Sequence, residues 1–114
     1  MAQYLKNLAY ETVFPLADQV NWAPGQVVSK TLAQNAAFGL TLFAIPKGEG
    51  ISAHKSSGDA FVTILKGKCE AAVGEKKFVL AEGDSIVMPA GVPHALSAPE
   101  DFKAFLVVAF PPAN

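Results

Sequence analysis

The stretch Gly83-Asp84-Ser85-Ile86-Val87-Met88-Pro89-Ala90-Gly91-Val92-Pro93-His94 decides the fold. Gly83-Asp84 is a turn pair, because glycine reaches backbone conformations closed to other residues and an aspartate side chain bonds to nearby amides. Ser85 to Met88 is a short strand. Pro89-Ala90-Gly91 turns the chain again, and His94 begins a strand that returns along the same wall. Turn, strand, turn and strand in so short a stretch describe antiparallel β structure with tight corners.

The same texture extends on both sides. Nine Gly and eight Pro punctuate short runs rich in Val, Ile, Leu, Phe and Thr, and no stretch carries an apolar 3.6-residue period over three turns. Strands are expected at Val27 to Gln34, Phe38 to Ile45, Ala60 to Lys66, Lys68 to Val73, Lys77 to Ala81, Ser85 to Met88, His94 to Ser97 and Phe102 to Phe110. The pattern is that of a sandwich or barrel, and this many strands suit a jelly roll. Residues 1–26 read as an arm packed on a barrel of residues 27–114, with a turn of helix within Phe14 to Val20 ended by Pro24-Gly25. Ala104 to Phe110 is apolar on both faces, so the arm or a second subunit should cover it.

Composition narrows the function classes. The chain has 114 residues, 51% of them hydrophobic, and a net charge of -1, which suits one domain and offers no basic surplus for nucleic acid. No apolar run approaches the ~20 residues needed to span a bilayer, and Met1 to Glu11 lacks the pattern of a secretory signal, so no membrane partner and a cytoplasmic address are expected. The single cysteine, Cys69, excludes an internal disulfide and a cysteine-built zinc site.

Residue alternation picks out inward-facing side chains. Lys68 and Glu70 facing solvent turn Cys69, Ala71 and Val73 inward. By the same parity, His54, Ser56, Ala60, Val62 and Ile64 share a face if the Ser57-Gly58-Asp59 turn preserves the register. Ser56, Ala60, Val62, Cys69 and Met88 are therefore expected to line a pocket. Cys69 invites a reading as thiolate ligand or nucleophile, against the commoner use of a buried cysteine as a small hydrophobe. Trp22 should cover the barrel edge or a neighbouring subunit.

Gly83 to His94 resembles the second conserved motif of the cupin family: a glycine, five residues, proline, one residue, glycine, two residues and histidine. The first cupin motif is partly present. Gly48-Glu49-Gly50-Ile51-Ser52-Ala53-His54 supplies its leading glycine and first histidine, and Ala60 to Gly67 its closing strand and glycine. Ser56 occupies the second histidine position, Ala60 the carboxylate position, and Ala98 a position that is often asparagine. The resemblance spans about Val27 to Phe110 and implies an all-β double-stranded β-helix barrel that pairs as a homodimer. In metal-binding cupins the matching residues hold a divalent transition metal such as Fe, Mn, Ni or Zn, and this chain keeps His54 and His94 of that set.

The leading expectation is a small-molecule-binding cupin whose pocket centres on His54 and His94. One imidazole would take a proton while the other orients an anionic or carbonyl-bearing ligand. Barrel histidines bonded to backbone, water or each other are the bland alternative. Two further readings stay open. One is a metal-dependent dioxygenase or isomerase with a reduced ligand set, in which Asp59 or Glu49 adds a carboxylate. The other is a non-enzymatic metabolite sensor or stability domain.

Overall fold

In the computed structural model, which describes residues 3–112, the strand-forming runs become eight strands. They are β1 (Val28–Gln34), β2 (Phe38–Ile45), β3 (Gly50–His54), β4 (Asp59–Val73), β5 (Lys76–Ala81), β6 (Ser85–Met88), β7 (His94–Ser97) and β8 (Phe102–Ala109). The strands pair antiparallel in the order β1-β2-β8-β4-β7-β3, and β5 and β6 also pair with β4. The arrangement is an all-β barrel of double-stranded β-helix type. The outer ends of the expected arm and barrel spans, residues 1–2 and 113–114, lie outside the described residues.

Two elements differ from the sequence expectation. Gly50–His54 is a strand that a reading of alternation passes over, because Ile51 is its only large apolar residue. The expected strands Ala60 to Lys66 and Lys68 to Val73 are one long strand, and Gly67 does not turn the chain. Gly67 has φ +80°, and a side chain there would run into the carbonyl of Asp101, so glycine serves a bulge within the strand.

That bulge has a large effect on the core. The pairing of β4 with β8 slips by one residue between Ile64 and Lys66. Ala60, Val62 and Ile64 point inward before it, and Cys69 and Ala71 point inward after it, all at most 1% exposed. The inward phase thus changes from even to odd within a single strand. The first half of β4 pairs with β8 and β6, and the second half with β5 and β7. One strand therefore serves both walls of the barrel, whose interior is a single cluster that includes Ile45, Met88, Leu96 and Phe102.

The outer face of β1, β2 and β8 carries a second apolar cluster. Leu32, Leu42 and Ala44 pack there with Val20, Leu8 and Leu16 from the segment before β1. Polar contacts fasten that segment. Lys6 N donates to the Leu32 carbonyl at 2.8 Å, and Trp22 Nε1 donates to the Phe102 carbonyl at 3.0 Å. Lys103 is only 5% exposed, and its Nζ donates to the Ala17 carbonyl at 2.8 Å while lying 4.6 Å from the centre of the Trp22 ring. The turn of helix expected within Phe14 to Val20 is a 3-10 turn at Leu16–Gln19.

Candidate functional site

The site begins with the β3–β7 pair. Ile51 faces Leu96 and His54 faces His94, and the register slips by one residue between those two pairings. This slip brings His54 opposite His94. The two rings meet edge to face, with centroids 4.4 Å apart and planes at 66°. His94 is 4% exposed, whereas His54 is exposed. One imidazole is thus inside the barrel and the other stands at its mouth.

Backbone carbonyls orient both rings. His54 Nδ1 lies 3.1 Å from the Ser52 carbonyl oxygen, and His94 Nδ1 lies 3.3 Å from that of Val92. A carbonyl oxygen only accepts, so each Nδ1 carries a proton and donates it, which leaves Nε2 of the neutral ring with its lone pair. No buried side-chain nitrogen or oxygen among the described residues lacks a partner. The His94 Nε2 bonds to nothing among the described residues, so it reaches open space. The His94 pKa is lowered from its ordinary value, chiefly by burial and then by the neighbouring His54, while the bond to the Val92 carbonyl opposes the shift.

That open space is a cavity of about 100 Å³ lined by Phe43, Ile51, His54, Met88, His94, Ala95, Leu96 and Leu106. Apart from the two imidazoles its lining is apolar. A larger hollow of about 470 Å³ lies between β5 and β6, with Val73, Phe78, Leu80 and Ile86 in its lining, and contains neither histidine.

His54, His94 and Met88 are brought together as expected, but four of the anticipated lining residues are not. Ala60, Val62 and Cys69 do point inward, yet they are consumed by packing in the interior cluster. Ser56 lies in the connection between β3 and the first half of β4, which belong to different walls, so no strand register carries over from His54. Its Oγ instead accepts from Gly58 N at 3.1 Å. Burial pushes the Cys69 thiol up to about 12, which keeps it protonated and excludes a thiolate role near neutral pH. The lining residues missed by the sequence reading are Phe43, Ile51, Ala95, Leu96 and Leu106. Leu96 was accessible to it, since a residue two beyond His94 on the same strand faces the same way.

The donor set does not suit the transition metal that the resemblance implies. Among the described residues no group of three or more His, Cys, Asp or Glu could hold a metal ion. Asp59 Oδ1 accepts from Ala90 N at 2.8 Å and so fastens the turn before β7. Ala60 has no donor atom, and Glu49 is absent from the cavity wall. Catalytic metal sites ordinarily use three protein ligands, and here there are two imidazoles.

The comparisons with known proteins agree with the fold. Residues 41–110, more than half of the chain, match the cupin domain family. A conserved protein of unknown function from Streptococcus pyogenes is 43% identical, with 98% of each chain covered and a TM-score of 0.96. A cupin superfamily protein from Desulfitobacterium hafniense is 31% identical, covering 94% of this chain and 98% of that one, with a TM-score of 0.90. A cupin 2 conserved barrel domain protein from Leptotrichia buccalis is 38% identical over 84% of this chain and 47% of its own length, with a TM-score of 0.82. No curated protein matches the chain. The chain belongs to the cupin family. No helix among the described residues is long and apolar enough to cross a membrane.

Proposed function

We propose that this chain is a small-molecule-binding cupin whose ligand enters the cavity past His54 and meets His94 within it. The observation that carries the reading is the edge-to-face pair at 4.4 Å, with both Nδ1 atoms tied to backbone, at the mouth of an otherwise apolar cavity. His94, buried and held neutral, is the proton acceptor. His54, in contact with it and with solvent, passes the proton out.

A screen of small organic fragments, followed by the methyl NMR signals of Ile51, Met88, Leu96 and Leu106, tests this reading. Fragments are expected to shift these signals in the wild type and to bind more weakly to His94→Ala. If no fragment perturbs the cavity methyls, the reading fails.

A homodimer is part of the same proposal. Val87, Phe61, Val107 and Leu40 form a direct cross-strand row through β6, β4, β8 and β2, on the face whose other end is covered by the segment before β1. Phe61 is 42% and Val87 56% exposed. A second copy covering that row removes an apolar patch from water.

A further inference from the structure

We propose that the cavity selects a neutral, mostly apolar molecule bearing one hydroxyl group, a small aliphatic alcohol, which donates its hydrogen bond to the free Nε2 of the histidine pair. This rests on the reading of the cavity as a binding site and adds the chemical class of its occupant.

The first ground is the inventory of polar atoms. Each Nδ1 is spent as a donor to a backbone carbonyl, Ser52 for His54 and Val92 for His94. In the neutral pair, what remains on the two rings is therefore two acceptors and no donor. A ketone or aldehyde oxygen brings a third acceptor and satisfies neither ring. A hydroxyl brings the missing donor.

The second ground is charge. The nine basic residues of the chain are all lysines, and no Lys, Asp or Glu lines the cavity. A carboxylate or phosphate buried there would find no guanidinium fork and no ammonium. Burying an ion without a partner costs far more than burying a hydroxyl that is hydrogen-bonded.

The third ground is size and lining. Phe43, Ile51, Met88, Leu96 and Leu106 give the cavity an apolar body of about 100 Å³, which is smaller than the engineered apolar cavity of ~150 Å³ that accepts benzene. The exposed His54 leaves its mouth open. A short or cyclic hydrocarbon body with its hydroxyl directed at the rings fits these dimensions.

The test compares cyclopentanol, cyclopentanone and cyclopropanecarboxylate, which have the same heavy-atom count and differ in offering a donor, an acceptor or a charge. Each is titrated into the wild-type protein at about pH 8, where free imidazole is neutral, with the cavity methyls as the readout. Cyclopentanol is expected to bind about tenfold more tightly than either competitor, the worth of one satisfied hydrogen bond in an apolar site. Ketone or carboxylate binding as tight as the alcohol overturns the donor rule while leaving the cavity a binding site. Failure of all three to perturb the methyls overturns the binding-site reading as well. A long-range 1H–15N spectrum of the histidines supplies a check without ligand. It is expected to show a proton on Nδ1 and none on Nε2 of both rings, and the opposite tautomer at His94 overturns the proposal.

Discussion

His54 and His94 are direct cross-strand partners with rings in edge-to-face contact, yet one is buried and the other faces solvent. The asymmetry gives two like side chains different surroundings. A ring shielded from water resists protonation.

Stability should therefore depend on pH through His94. Burial first, and His54 second, lower its pKa from the ordinary 6.5, so in a window below that value the unfolded chain takes up a proton that the folded chain does not. Folding stability is full above the unfolded value. It falls as the pH drops toward the folded pKa and levels off beneath it, by ~1.4 kcal/mol for each unit separating the two. Denaturant midpoints at about pH 7.5 and about pH 5.5 should differ accordingly, and His94→Gln should shrink the difference. An unchanged pH slope in that variant would place the effect elsewhere.

Metal content follows from the donor set. Untagged protein purified without chelator or added metal is expected to carry well under one transition-metal ion per chain, because two imidazoles leave a site a ligand short. Elemental analysis beside the His54→Ala/His94→Ala double variant checks this. About one ion per chain in the wild type and none in the variant would make the metal-dependent reading the correct one.

The contact of Lys103 with Trp22 and the Ala17 carbonyl predicts that Lys103→Met destabilises the fold. The lost hydrogen bond and cation–π contact together are worth about 1–3 kcal/mol. Trp22 is the single tryptophan, so its emission reports directly on the segment before β1. A red shift should accompany the lower denaturation midpoint, and wild-type emission and midpoint in the variant would show that the clamp contributes nothing.

The exposed row through Phe61 and Val87 predicts a dimer in solution that Phe61→Asp converts to monomer, read by light scattering at micromolar concentration. A monomeric wild type under those conditions would falsify the proposed interface.

Much of this was legible in the sequence because the Gly83 to His94 stretch combines turn chemistry with strand formers at fixed offsets. It places β6, the turn and β7 with the bounds that the structure shows. The places where reading failed share one cause. Alternation is a rule about parity, and a bulge changes parity without leaving a distinctive residue pattern. Gly67 carries the same one-letter signal whether it turns a chain or kinks a strand. The slip between Ile51 and His54 has no mark at all in Ile51-Ser52-Ala53-His54. The cavity lining from Phe43 and Leu106 depends on strands far apart in the chain being laid side by side, which no local pattern reports.

The bulge in β4 also governs where this chain can change in length. Removing one residue from β4 between Gly67 and Cys69 while the bulge stays would turn Cys69 and Ala71 toward water and carry Glu70 into the interior. Every side chain of the second half of the strand would then be on the wrong side, although none had been substituted. An added residue in the Gly74-Glu75 connection would only enlarge a solvent-facing turn. Insertions and deletions therefore belong at the corners of the barrel, and β4 can lose a residue only if its bulge goes with it.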